Sequence, residues 1–142
     1  MVGTDHFARS EFERSTIAIV RGIPNSVPPH LEENAQLTLE TLEAIRGRLG
    51  SAVRISSGYR SPVVNMHAAG SPKSQHMRAQ AADMFIDGHG LDRMIAAIED
   101  GDFDQLITYA HIPSIVHVSV VRSSNRRQRL HSPAPGVYDG VS

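Results

Sequence analysis

The stretch Ile115-Val116-His117-Val118-Ser119-Val120-Val121 decides how this chain is read. In an extended strand successive side chains alternate faces, so His117 and Ser119 share one face while Val116, Val118 and Val120 share the other. A polar pair backed by valines suits a strand that floors a site on one side and seals a core on the other. Upstream, the run SQHMRAQAAD at 74–83 brings a second imidazole, His76, and a carboxylate, Asp83. Asp83 stands between Ala82 and the apolar run Met84, Phe85, Ile86, which reads as a buried strand. An ionised carboxylate in such surroundings needs a cation or strong donors. Zinc is the economical partner and Arg60 is the rival. Together His76, Asp83 and His117 offer two nitrogens and one oxygen, a set that can hold zinc and leave its fourth position open. An open position lets the metal activate water or polarise a carbonyl. The same donors accept other divalent ions.

Around these residues helices and strands alternate. Ser10 and Glu13 form a candidate capping box leading a short helix, SEFERSTIAIV, that ends near Gly22 and Pro24. Three prolines make RGIPNSVPPH a loop. Leu31, Ala35, Leu42, Ile45 and Leu49 lie on one stripe and predict a helix over 31–49, stopped by Gly50. Residues 53–56 alternate as a half-buried strand that delivers Gly58, Tyr59 and Arg60 to a turn. Pro62 opens a helix reaching about Ala69, and Gly70 to Lys73 form the loop that presents His76. Leu91, Met94, Ile95 and Ile98 mark another amphipathic helix, closed by Gly101, and 105–109 with 115–121 predict a hairpin. The expected class is α+β, helices packed on a small antiparallel sheet.

Composition narrows the alternatives. A chain of 142 residues with 40% apolar content forms one core. Its 14 basic and 15 acidic side chains give no broad footprint for nucleic acid. With no cysteine, any zinc must rest on nitrogen and oxygen. The first residues lack the apolar run of a secretory signal, and no long apolar stretch spans a membrane.

Read in order, SSGYRSPVVN at 56–65, SQH at 74–76, AAD at 81–83, DQLI at 104–107 and VHVS at 116–119 carry a resemblance that runs from about Phe7 to Val121. The chain resembles the zinc peptidoglycan peptidases of the D-alanyl-D-alanine carboxypeptidase type, which share a fold with the Hedgehog signalling domain. The short, often phage-encoded branch is the most similar. The resemblance implies that His76, Asp83 and His117 are the zinc ligands. It puts Arg60 and Ser74 on the substrate side, Arg60 to hold a carboxylate or carbonyl of the peptide and Ser74 to buttress the site. A guanidinium matches a carboxylate with forked donors and carries a permanent charge. The implied activity is cleavage of peptide bonds in peptidoglycan stems or cross-links. A hydrolase of that kind without its own export signal would stay in the host cytoplasm until lysis, or travel in a virus particle.

Two departures accompany the resemblance. Relatives commonly carry an acid shortly before the second histidine, but TYAHIPSIVHVS has no carboxylate between Asp104 and His117. Ser114 and Tyr109 stand where relatives place it, which leaves His111 as the candidate catalytic group for proton transfer. Ala79 replaces a frequent glycine. The alternative is therefore a retired enzyme, kept as a structural or wall-binding part of a virion. Asn65 is read as a turn contact, Tyr59 as packing under the site, and His6, His30, His67, His89 and His131 as surface residues. The peptidase-like domain is placed at 1–121. Residues 122–142 are read as a basic, Pro/Ser/Gly-containing tail without periodicity, ordered most readily against a partner such as a virion protein. Its Arg122, Arg126, Arg127 and Arg129 would meet an acidic surface or nucleic acid.

Overall fold

The expected N-terminal helix is two helices, because Arg14 takes extended backbone and breaks it. The first, α1, covers Arg9–Glu13 and the second, α2, Thr16–Arg21. These elements belong to a computed structural model that describes residues 2–85 and 90–141. The expectations for Ile86 and His89 lie outside the described residues. The Ser10–Glu13 capping box is not formed. Ala8 is the cap of α1, and its N–H donates to the Glu11 carboxylate at 3.1 Å. Glu13 accepts instead from Val27 N–H at 2.7 Å and Arg9 Nε at 3.0 Å, clamping the proline-rich loop. Ser15 caps α2, and Gly22 ends it with φ of 64°. After a 3₁₀ turn at Pro29–Leu31, the long helix α3 spans Glu32–Leu49. Its stripe of Ala35, Leu39, Leu42, Ile45 and Leu49 is buried. Gly50, with φ of 69°, supplies the stop that the stripe predicts.

Six strands form one sheet: β1 at Arg54–Ser57, β2 at Ala81–Phe85, β3 at Gln105–Tyr109, β4 at Ile115–Ser119, β5 at Gln128–Ala134 and β6 at Val137–Gly140. Their order is β1-β2-β4-β3-β5-β6. Every neighbouring pair is antiparallel except β3 with β5, which run parallel, so the sheet is mixed rather than wholly antiparallel. Two further helices, α4 at Pro62–His67 and α5 at Leu91–Glu99, complete the α+β fold. The expected β3–β4 hairpin is present, with Ile107 opposite His117.

The alternation read in 115–121 divides the sheet. Met84, Leu106, Val116 and Val118 face the core with α3 and α5 residues such as Leu42, Ile45, Met94 and Ile98. The register Ser57–Asp83–His117–Ile107–Leu130 runs across the opposite face. Residues directly opposite in a sheet share a face, so this row aligns the site. A bulge in β1 between Ile55 and Ser57 turns Ser57 toward Asp83.

The segment beyond Val121 is not a separate tail. Gln128 to Ser132 add β5 beside β3, and β6 pairs back on β5. Weak periodicity hides this, because a parallel partner must be reached across a long connection that no local pattern announces. Each of the four arginines pairs with one of the chain's own acids. Arg126 binds Asp104 at 2.7 Å, Arg129 meets Glu99 at 3.1 Å, Arg127 reaches Asp102 at 3.8 Å, and Arg122 pairs with Glu33. A chain ending at Val121 is expected to lose on the order of 2–3 kcal/mol, lowering the thermal midpoint by roughly 5–10 °C. Circular dichroism melting checks this; an unchanged midpoint would restore the tail reading.

Candidate metal centre

Three elements deliver three donors. His76 lies in a 3₁₀ turn at Gln75–Arg78 that Ser74 caps, its Oγ accepting the His76 N–H at 3.2 Å. Asp83 is the centre of β2 and His117 the centre of β4, directly opposite each other. The turn ends at Ala79, whose left-handed φ of 56° explains a glycine preference at this position. The ligand atoms of His76, Asp83 and His117 all lie within 4.8 Å of one another. Both imidazoles are buried.

The ring of His76 is fixed by its backbone partner. Its Nδ1 lies 2.6 Å from the Gly58 carbonyl oxygen, which can only accept, so Nδ1 carries the proton. Nε2 is thereby turned toward the centre and sits 3.4 Å from Asp83 Oδ1. In return Arg60 N–H donates to the His76 carbonyl at 3.1 Å, locking the two turns together. Gly58 is obligatory here: a Cβ would lie 2.3 Å from the Phe12 carbonyl oxygen. On the other side, His117 Nδ1 faces Asp83 Oδ1 at 2.9 Å.

Charge follows this geometry. Burial works to raise the Asp83 carboxyl, but His76 and then His117 outweigh it and hold the group well below the usual carboxylate range. Burial, partly opposed by Asp83, pushes the His117 imidazole down, which favours the neutral ring. Neutral imidazoles and an ionised carboxylate are the forms that ligate zinc. Tetrahedral zinc with ligands about 2.0–2.1 Å away separates them by roughly 3.3 Å. The 3.4 Å and 2.9 Å separations fit that demand with small adjustments.

Arg60, the rival partner for Asp83, is a companion to the imidazoles. Its Nη2 lies 3.4 Å from Asp83 Oδ2, its Nε donates to Ser57 Oγ at 3.1 Å and its Nη1 to Asn65 Oδ1 at 3.4 Å. Of five guanidinium N–H groups, one on each terminal nitrogen has no partner among the described residues. Asn65 is the turn contact expected, its Nδ2 donating to the Ser71 carbonyl at 2.9 Å. Tyr59 packs in the core.

Tyr109 lies two residues along β3 from Ile107, on the same face, and His111 follows in the turn. Burial, then the nearby Asp83 carboxylate, push the Tyr109 phenol far above its ordinary range, so it stays neutral. The His111 ring stands edge-on to Tyr109, with centroids 5.6 Å apart, in the exposed β3–β4 turn. Ser114 is exposed in the same turn. Among the described residues no Asp or Glu other than Asp83 joins the cluster. His6, His30 and His67 are exposed, while His131 is half-buried on β5 and bonded to Thr108 at 2.8 Å.

Three supporting residues escaped the sequence reading. Asn25 donates to the Glu13 and Tyr59 carbonyls at 2.7 and 3.0 Å and accepts from Ser61 N–H at 2.7 Å, fixing the turn that carries Arg60. Gln75, beside His76, donates to Asp104 at 3.0 Å. Asp104, the acid of DQLI, in turn receives the Arg126 backbone N–H and guanidinium. That motif was visible, but nothing local announced that its acid would couple the His76 turn to β5.

A helix-covered sheet thus carries a His-Asp-His centre whose three donors can hold a divalent metal and leave a position open. A family model described as Peptidase M15 matches residues 5–119, and the chain belongs to that family, the zinc D-alanyl-D-alanine carboxypeptidase family of metallopeptidases. No curated protein matches the chain. Strands β5 and β6 lie beyond the matched span.

Zinc titration calorimetry should show one site, lost on His117→Ala or Asp83→Ala. Gly58→Ala, which touches no metal, should weaken zinc by about 10–100-fold through the displaced carbonyl; unchanged affinity would deny Gly58 its orienting role. The Asp104 pair predicts an acid limb. Arg126, opposed by burial, holds Asp104 below its ordinary value, so its stabilisation is full above about pH 4 and is lost as pH falls through the lowered folded value. Arg126→Met should flatten that part of the stability–pH curve, measured by urea unfolding.

Proposed function

We propose that this chain is a zinc-dependent hydrolase that cuts peptide bonds in bacterial peptidoglycan, as a D,D-carboxypeptidase or endopeptidase. The observation that carries this reading is the oriented donor set: Gly58 fixes the His76 tautomer so that its free nitrogen meets Asp83 and His117. Bound zinc would polarise the scissile carbonyl and activate water. The two remaining Arg60 N–H groups, beside the centre, hold a carboxylate or carbonyl of the stem peptide. Ser74 keeps the His76 turn in place. His111, steadied by the Tyr109 ring, takes the proton from the attacking water and passes it to the leaving amine. A phage or prophage setting, with release at lysis or carriage in the virion, accords with this substrate. No helix among the described residues is long and apolar enough to cross a membrane.

A second reading has its own observation. With no further carboxylate at the centre among the described residues, the chain would be a silent metal-binding scaffold, serving as a structural or wall-binding component of a virion.

Release of free amines from purified peptidoglycan by zinc-loaded protein separates the two. Activity should vanish with His76→Ala. It should fall about 10²–10⁴-fold with His111→Ala at unchanged zinc content, and about 10–100-fold with Arg60→Ala, mainly in KM. Zinc binding without any cleavage would favour the scaffold.

A further inference from the structure

The face of the sheet that carries the metal donors does not stop at β3. Ile107 stands opposite Leu130, and Tyr109 opposite Ser132, so β5 continues the same face. On β6, Gly140 stands opposite Leu130, and alternation returns Tyr138 to that face. The pairing then slips: His131 opposes Asp139 and Ala134 opposes Val137, so Ser132 and Pro133 together oppose the single Tyr138. Such a bulge re-aims a side chain, and a proline that cannot donate to the ladder fits the slip. Between the two tyrosines Ser132 is small and only 1% exposed. Tyr138 itself is 51% exposed, a large aromatic left open on the working face.

From this row we propose that the β5–β6 hairpin is an extended substrate subsite, in which Tyr109 and Tyr138 take the peptide stretch lying beyond the scissile bond. The inference rests on the hydrolase reading above and adds the part of the cleft that the family-matched span does not include. Strands lie about 4.8 Å apart, so three spacings carry Tyr138 roughly 14 Å from the His117 strand. That reach equals about four extended residues. A dipeptide at the metal falls short of Tyr138, whereas a stem pentapeptide arrives there. Two phenols offer apolar rings with one donor and acceptor each, which suits amide groups and alanine methyls better than a charged ligand. The hairpin is anchored for the task, since Arg126 ties the start of β5 through Asp104 to Gln75, the neighbour of His76.

The chain has no tryptophan and three tyrosines, of which Tyr59 is buried in the core and adds a constant background. A change in tyrosine emission on peptide binding therefore reports on Tyr109 and Tyr138. Stopped-flow fluorescence of zinc-loaded protein, with D-alanyl-D-alanine or a pentapeptide ending in it, tests the proposal alongside steady-state kinetics. Tyr138→Ala should weaken the pentapeptide about tenfold in Kd and KM, at nearly constant kcat, and leave the dipeptide unaffected. Tyr138→Phe, which keeps the ring in the edge strand, should retain affinity and lose part of the quench. Equal pentapeptide affinity in wild type and Tyr138→Ala overturns the proposal, as does a parallel loss on both peptides or an unaltered quench in Tyr138→Phe. Cleavage of both peptides without any Tyr138 effect sinks this inference alone. Tyr138-dependent binding without cleavage sinks the hydrolase reading and keeps the subsite. Binding of neither peptide overturns both.

Discussion

Everything around the centre answers to one carboxylate taken out of water. Asp83 lies in mid-sheet between alanines and a methionine, where an ionised group is costly unless donors surround it. Two imidazoles approach one oxygen and a guanidinium the other. The β2–β4 register supplies His117, the 3₁₀ turn supplies His76, and the turn after β1 supplies Arg60. Each partner is held by something further out: Gly58 for His76, Ser57 and Asn65 for Arg60. A divalent cation completes what these groups begin, because it satisfies the carboxylate while keeping both rings neutral.

The same logic explains why the C-terminal segment belongs to the domain. Without β5, the β3 edge would present a row of unpaired backbone groups. Asp104, with its side chain almost wholly buried, would face Gln75 without its guanidinium. Parallel pairing beside β3 resolves both, and it extends the working face by two strands.

Much of this was legible locally. The stripe of α3, the hairpin of β3 and β4 and the Asp83 strand follow from period and punctuation, since each element buries one face. The Ser10–Glu13 box failed because the helix starts earlier, with Ala8 as its cap and Ser10 already inside the first turn. The strands at Gln128–Ala134 and Val137–Gly140 were hidden, as an edge hairpin with a bulge and exposed residues shows little alternation.

The sequence by itself determined the donor types, their order, and the face that His117 shares with Ser119, because strand alternation is a property of the backbone. It also supplied the motif set on which the family likeness rests. Tertiary structure alone decided that Asp83 serves His76, His117 and Arg60 together, and that Gly58 selects the tautomer. Only the folded sheet could bring Tyr138 onto the face of Tyr109. Those outcomes depend on register between strands far apart in the chain, and no local pattern encodes a distance between segments that meet only when the core closes.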